Sequence, residues 1–98
     1  RCIAAKLISP AHENVFHVFP FLTPKRDQLK AFLAENGVGT KIHYFRPPYL
    51  QPCYPEMNHL EFPVAKRIAD EELSLPCNSS LNDEDIIRVS KLINQFLA

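Results

Sequence analysis

The sequence has few glycines, no excess charge and no long apolar run, and each of these shortages argues against a class of function. Only two of the 98 residues are glycine, Gly37 and Gly39, which leaves no glycine-rich loop to cradle a phosphate. Eleven basic residues face eleven acidic ones, whereas binding to a nucleic-acid backbone needs a cationic excess. No apolar run approaches the roughly 20 residues that span a bilayer. We therefore expect a cytoplasmic domain that binds neither nucleic acid nor a membrane.

Cysteine is also scarce. The three cysteines, Cys2, Cys53 and Cys77, are odd in number and far apart, which is typical of reduced intracellular thiols. A zinc site built from Cys53, Cys77, His43 and His59 is conceivable, but no Cys-x-x-Cys or His-x-x-x-His pair anchors it. The sequence therefore predicts neither a disulfide framework nor a metal site.

The length is enough for one modest domain with one core, but not for an ordinary two-domain enzyme. The chain begins with Arg1 rather than Met, and residues 1–6 resemble a helix entered partway. We expect the natural chain to extend upstream. On this interpretation residues 1–14 are the tail of an inter-domain helix and a linker, and residues 15–98 are the domain.

The first half of the domain predicts a strand, a helix and a second strand. Residues 15–22 are rich in β-branched and aromatic side chains, which favours a strand. Thr23 is suited to cap the next helix, with Pro24 at its first position and Gly37 as a left-handed stop. Residues 38–44 are predicted to form the second strand.

In the second half, prolines interrupt residues 45–59 and predict a long extended loop of functional character. A helix is expected to begin at Pro63, followed by a short strand at 73–76. A last helix follows, capped by Asn82 and with acidic residues in its first turn. The order predicts an α+β fold, a small two-layer sandwich in which a short mixed or antiparallel sheet is covered by about three helices.

Large apolar side chains at helical or strand spacing form the expected core. They are Leu29, Phe32, Phe62, Ile68, Leu75, Ile86, Ile93 and Phe96. His17, in the middle of the first predicted strand, is expected to be a buried and hydrogen-bonded core histidine. The residues alone complete no catalytic motif, and they allow a stand-alone α+β binding or regulatory module whose proline-rich loop recognises a protein or small molecule.

Three segments, in the same order and over nearly the whole chain, carry a resemblance to one enzyme family. They are VFHVF (15–19), VGTKIHYFRPPYLQPCY (38–54), and FPVAKRIADEELSLP (62–76) followed by LNDEDI (81–86). Together they resemble the DegT/DnrJ/EryC1/StrS family of sugar aminotransferases. Three ordered motifs are far more specific than any one of them.

The resemblance implies the C-terminal small domain of a fold-type I enzyme, whose large domain holds pyridoxal phosphate. It implies a nucleotide-linked keto-sugar as amino acceptor, glutamate as the usual donor, a role in surface polysaccharide synthesis, and a homodimeric full-length enzyme. The Schiff-base lysine and the acidic partner of the cofactor are implied to lie in the large domain. We therefore expect no catalytic or cofactor-binding residue here and no catalysis by this chain alone.

The resemblance assigns substrate binding to His43 and Tyr44, and the chemistry of its side chain adds Arg46. His43 and Tyr44 match the family position that reaches into the active-site cleft, where they would contact the sugar or its phosphates, and the Arg46 guanidinium suits a phosphate. Structural alternatives remain open: His43 packed beneath the loop, Tyr44 as a half-buried core aromatic, and Arg46 as a solvated loop residue. Phe45 and Arg46 stand where a proline and a small apolar residue are commoner in the family, so sugar contacts there are expected to differ.

Overall fold

The computed structural model describes residues 6–7 and 15–98, and within them the chain forms three strands and three helices. They are β1 (Lys6–Leu7), β2 (Phe19–Leu22), α1 (Arg26–Glu35), α2 (Pro63–Glu71), β3 (Glu72–Leu75) and α3 (Asp83–Leu97). The strands form one antiparallel sheet in the order β1-β2-β3. The predicted α+β fold with a short antiparallel sheet and three helices is confirmed.

The central strand β2 is short and contains a proline. It pairs with β3 along its length, from Phe19 opposite Leu75 to Leu22 opposite Glu72. β1 pairs only with Phe21 and Leu22, so within the described residues Pro20 has a ladder partner on the β3 side alone. This arrangement suits a residue without an amide hydrogen. Lys6 lies in β1, so the predicted helix over 1–6 is wrong at that residue; residues 1–5 lie outside the described part, and the boundary at residue 14 stays a prediction.

Helix α1 begins later than predicted but ends as predicted. The Thr23 hydroxyl accepts a hydrogen bond from the Lys25 amide (3.2 Å) and closes a turn, so Thr23 is not the N-cap and Pro24 precedes the helix. Gly37 has φ 78°, and its amide donates to the Ala34 carbonyl (3.0 Å). The next amide, that of Val38, donates to Leu33 (2.8 Å). These two bonds form a Schellman motif, which explains the glycine.

Two of the predicted strands are shorter than expected. At residues 15–22 only Phe19–Leu22 is a strand, because Phe16 has a φ of 46°, which interrupts an extended run. At residues 38–44 the strand prediction is wrong. Lys41 makes an isolated bridge with Ser74, through amide-to-carbonyl bonds of 3.2 and 2.7 Å, and the chain turns at His43.

The proline-rich stretch is more ordered than an extended loop. It contains 3-10 turns at Pro48–Leu50 and Pro55–Met57. The Asn58 side-chain amide donates to the carbonyls of Tyr49 (2.8 Å) and Tyr54 (3.1 Å), which ties the two turns together. The prediction of one continuous extended loop is therefore wrong, because local turn hydrogen bonds replace the missing sheet pairing.

The last helix follows its sequence signals. The Asn82 side chain accepts from the Asp85 amide (2.9 Å), and the Asp85 carboxylate accepts from the Asn82 amide (3.2 Å). This reciprocal pair is a capping box, which satisfies two amides at the start of α3. The predicted cap is confirmed, as is the start of α2 at Pro63.

One apolar cluster joins α1 and α3 to the sheet. Its buried members are Leu29, Leu33, Val38, Leu73 and Ile93. The predicted core is right for Leu29 and Ile93 but wrong for Phe62 and Ile86, whose side chains are 46% and 54% exposed. His17 is also exposed, so it is not the core histidine expected. In the described part of the chain, no helix has the length and apolarity to cross a membrane.

Candidate functional site

The predicted site residues lie where the chain leaves its bridge with β3. His43 is half-buried, whereas Tyr44 is 73% exposed and Arg46 is also exposed. The His43–Tyr44 peptide bond is cis, and the two rings pack edge to face with centroids 5.3 Å apart. The structural alternative for Tyr44, a half-buried core aromatic, is therefore wrong. Substrate binding by His43, Tyr44 and Arg46 remains a prediction.

Two buried side chains of β3 form hydrogen bonds with His43. Its backbone amide donates to Glu72 Oε2 (2.7 Å), and its ring Nδ1 lies 2.8 Å from Ser74 Oγ. The Ser74 hydroxyl in turn donates to Glu72 Oε1. Glu72 is 2% exposed and Ser74 is buried, so both the main chain and the ring of His43 have fixed partners.

The alternation of β3 explains how these two polar residues become neighbours. Successive side chains of a strand point to opposite faces, so Glu72 and Ser74 share one face while Leu73 enters the apolar cluster from the other. Each Glu72 oxygen has a donor, which offsets part of the cost of burying a carboxylate. The sequence predicts neither residue as part of the site, and the strand predicted at 73–76 begins one residue after Glu72. The polar-apolar alternation of ELSL was the available signal.

Arg26 is a second residue that the sequence reasoning missed. Its side chain is only 6% exposed. Its Nη1 donates to the Ala69 carbonyl near the end of α2, and its Nε donates to Asp27 (2.9 Å). Its Cζ lies 5.9 Å from the centre of the Phe45 ring. A cation in the first turn of a helix interacts unfavourably with the positive end of the helix dipole. The position of Arg26 at the start of α1 therefore indicates that its side chain has a specific partner.

Surface pockets divide the predicted residues into two groups. Tyr44 and Arg46 line a pocket of about 430 Å³ between the proline-rich segment and α2. Its other lining residues include Pro47, Gln51, Tyr54, Ala65 and Ile68. His43 instead lines another pocket, of about 350 Å³, with Lys41 and Ser74. The structure therefore brings Tyr44 and Arg46 into one pocket and places the His43 ring at the next.

The exposed lysines of the described residues, Lys25, Lys41, Lys66 and Lys91, do not have the setting of a lysine that holds pyridoxal phosphate. A Schiff-base lysine needs a desolvated setting or a cationic neighbour, and the cofactor needs an acidic partner for its ring nitrogen. Lys66 is exposed and pairs with Asp70 along α2 (2.7 Å), and Lys41 is exposed at the bridge. That the cofactor is held outside this chain stays a prediction.

The residues considered for zinc do not converge. Within residues 6–7 and 15–98, no three His, Cys, Asp or Glu side chains form a cluster that could hold a metal ion. Cys53 and Cys77 are free, exposed thiols.

Comparison with known proteins identifies relatives over most of the chain. The profile of the DegT/DnrJ/EryC1/StrS aminotransferase family matches residues 3–94. A pleiotropic regulatory protein of Geobacillus stearothermophilus is 39% identical over 85 residues. The dTDP-3-amino-3,6-dideoxy-alpha-D-galactopyranose transaminase of Aneurinibacillus thermoaerophilus is 32% identical over 83 residues. Each of these alignments covers 85% of this chain and 23% of the relative.

A solved structure shares the fold. The crystal structure of S. venezuelae DesV in complex with a ketimine intermediate matches with a TM-score of 0.86 and 27% identity. The match covers 98% of this chain and 27% of that chain, so this chain spans about a quarter of the length of the relatives it matches. Because the family profile covers most of the sequence and the fold agrees, the chain belongs to the DegT/DnrJ/EryC1/StrS aminotransferase family.

Proposed function

We propose that this chain is the C-terminal small domain of a longer, cytoplasmic, pyridoxal-phosphate-dependent sugar aminotransferase. In that enzyme it would supply His43, Tyr44 and Arg46 to bind a nucleotide-linked keto-sugar. The names of the transaminase relatives support the substrate class, since one is a transaminase of a dTDP-linked amino sugar. The proposal includes glutamate as amino donor, a homodimeric enzyme and a role in surface polysaccharide synthesis.

One observation carries the proposal: the exposed side chains lie next to a backbone amide that is hydrogen-bonded to a buried carboxylate. Tyr44 and Arg46 are exposed, yet His43, which precedes Tyr44, is bonded through its backbone amide to the buried Glu72 carboxylate. A surface loop that only connects two elements does not need such an anchor, whereas binding residues on loops are typically positioned by a rigid scaffold. The anchor therefore favours a binding site over an idle loop.

The chemistry of the two groups suits different parts of a nucleotide-sugar. The Arg46 guanidinium can donate two parallel hydrogen bonds to a phosphate, and the Tyr44 hydroxyl can donate to or accept from a sugar hydroxyl. Both line the pocket of about 430 Å³ beside α2. The cofactor, when bound elsewhere in the enzyme, supplies the amino-transfer chemistry, and the residues of this chain bind and orient the sugar.

The test compares two exposed arginines in the complete protein that contains this chain. Arg46→Ala removes the proposed phosphate contact, while Arg67→Ala removes an arginine of α2 whose side chain is 63% exposed. Hydrogen bonds to charged groups contribute about 1.5–3 kcal/mol, so Arg46→Ala should lower kcat/KM for the sugar half-reaction roughly 10- to 100-fold. The donor half-reaction and the Arg67→Ala variant should stay near wild type. Equal effects of the two variants on the sugar half-reaction would refute the proposal.

The location of the cofactor is tested with this chain alone. After addition of pyridoxal phosphate and borohydride, mass spectrometry should find no stoichiometric label at any single lysine, because the resemblance places the cofactor lysine in the large domain and Lys25, Lys41, Lys66 and Lys91 are exposed. One specifically labelled lysine would mean that the division of roles between domains is wrong.

A second candidate is a regulatory function, which the name of the 39% identical Geobacillus stearothermophilus relative favours. The two candidates differ in turnover. A complete protein that binds the cofactor but transfers no amino group to any of a panel of dTDP- and UDP-linked keto-sugars would favour regulation, whereas glutamate-dependent amination of one of them would exclude a purely regulatory role.

A further inference from the structure

The hydrogen bonds around Ser74 have a direction that the donor and acceptor chemistry determines. A carboxylate can only accept, and a serine hydroxyl has a single hydrogen. The Ser74 hydroxyl donates to Glu72 Oε1, so its oxygen is left to accept from His43 Nδ1, 2.8 Å away. Nδ1 therefore carries a hydrogen. A neutral imidazole has one N–H, so Nε2 has a free lone pair.

We infer that Glu72 and Ser74 are positioning residues that fix His43 in its Nδ1–H tautomer, so that Nε2 accepts a hydrogen bond from a hydroxyl group of the substrate. A phosphate oxygen is itself an acceptor and cannot bond to that lone pair. The tautomer follows from the described hydrogen bonds alone, whereas the identity of the donor as a sugar hydroxyl rests on the proposed function.

The same carboxylate controls both parts of His43. Glu72 Oε2 accepts from the backbone amide, and Oε1 holds the serine that orders the ring. The Tyr44 ring lies edge-on to the imidazole at an interplanar angle of 89°. Rotation of the ring by half a turn would replace Nδ1 by a carbon opposite Ser74 and break the hydrogen bond. The ring is therefore restrained in orientation as well as in tautomer.

The first experiment measures the tautomer in the unmodified chain. In ¹⁵N-labelled protein, at a pH where the rings are neutral, long-range ¹H–¹⁵N correlation spectra should show His43 with Nδ1 protonated over Nε2 by about tenfold, the ratio that a hydrogen bond of about 1.4 kcal/mol sets. The exposed His17 and His59 are internal controls that should show no such bias. A predominant Nε2–H form of His43 would overturn the inference, since it requires a protonated Glu72 and a reversed relay.

Two variants test the cause of the bias. Ser74→Ala removes the acceptor, so the Nδ1–H preference should fall about tenfold. Glu72→Gln introduces an amide that can accept from the His43 backbone and donate to Ser74, which frees the serine hydrogen for Nδ1 and should invert the tautomer. Because Glu72 is buried, the circular dichroism spectrum of each variant is compared with wild type. An unchanged tautomer ratio in folded Ser74→Ala would overturn the assignment of Ser74. If Glu72→Gln does not fold, the wild-type spectrum alone still decides which tautomer His43 adopts.

The substrate role is tested separately in the complete protein. Ser74→Ala should lower kcat/KM of the sugar half-reaction roughly tenfold and leave the donor half-reaction unchanged. If His43 has the expected tautomer but sugar kinetics do not respond, the proposed function of His43 is wrong although the tautomer assignment stands. If the tautomer is reversed, the inference fails whatever the kinetics show.

Discussion

Replacement of Arg26 by alanine should be among the most destabilising single changes in this chain. The side chain is buried at the start of α1, where it donates to the Ala69 carbonyl of α2 and lies against the Phe45 ring. Truncation would remove a charged donor and leave a carbonyl at the end of α2 without this partner. It would also remove the contact that holds Phe45 beside the candidate site. The change therefore affects two helices and the loop at once.

The magnitude follows from the individual contacts. A hydrogen bond from a charged donor contributes about 1.5–3 kcal/mol, and a cation–π contact with a largely exposed ring adds about 0.5–1 kcal/mol. Phe45 is 69% exposed, so its contribution lies at the low end. Arg26→Ala should lower the free energy of unfolding by about 2–4 kcal/mol. The matched control is Arg67→Ala, whose exposed ion pair with Glu71 should contribute at most about 1 kcal/mol.

Urea denaturation followed by circular dichroism measures both variants. With a denaturant slope of about 2 kcal/mol per molar, the middle of the usual range, Arg26→Ala should move the midpoint down by roughly 1–2 M, and Arg67→Ala by less than about 0.5 M. Arg26→Lys keeps the charge but loses the planar fork, so its midpoint should lie between those of Arg26→Ala and wild type. Indistinguishable midpoints for the two alanine variants would refute the reasoning, because burial and the contact with Ala69 are what separate the two arginines.

Three further changes are predicted from the fold, and thermal or urea unfolding checks each. Gly37→Ala should destabilise the chain by about 1 kcal/mol, because the φ of Gly37 is 78°. Gly39→Ala should be neutral or slightly stabilising, since Gly39 has no positive φ and no atom lies within 4 Å of the added carbon. Equal effects of the two variants would contradict the left-handed assignment of Gly37. Leu73→Ala should cost about 2–5 kcal/mol, while Val64→Ala at a 73% exposed position should change stability by less than about 0.5 kcal/mol. Asn82→Ala should cost about 1 kcal/mol by removing the capping box, and an unchanged midpoint would mean that water replaces the cap without loss.

The parts of the fold that sequence predicts well are those specified by neighbouring residues. The start of α3 depends on Asn82 and Asp85, three positions apart, and the end of α1 depends on one glycine. The strands are different, because a strand is defined by its partner. Lys41 meets Ser74 only when distant segments come together, and apolar composition at 38–44 does not reveal that the pairing is limited to one bridge.

The candidate site shows the same division. His43, Tyr44 and Arg46 could be selected because they lie within one short motif. The residues that bond to His43 could not be selected in this way, since Glu72 and Ser74 are 29 and 31 residues away from it in the sequence. The side chains that fix the histidine are found only when β3 is assigned its correct start and its alternation is followed. The strand begins one residue earlier than predicted, and that residue is Glu72.

The anchoring of His43 by Glu72 has a consequence for changing the substrate range of such an enzyme. Glu72 directly follows α2, begins β3 and anchors the loop, so substitutions there alter folding and the position of His43 together. Tyr44 and Arg46 are exposed and carry no comparable share of the core. If Tyr44 and Arg46 bind the sugar as proposed, a mutant library directed at these two positions should change specificity with little loss of folded protein, whereas one that includes Glu72 should contain many unstable variants.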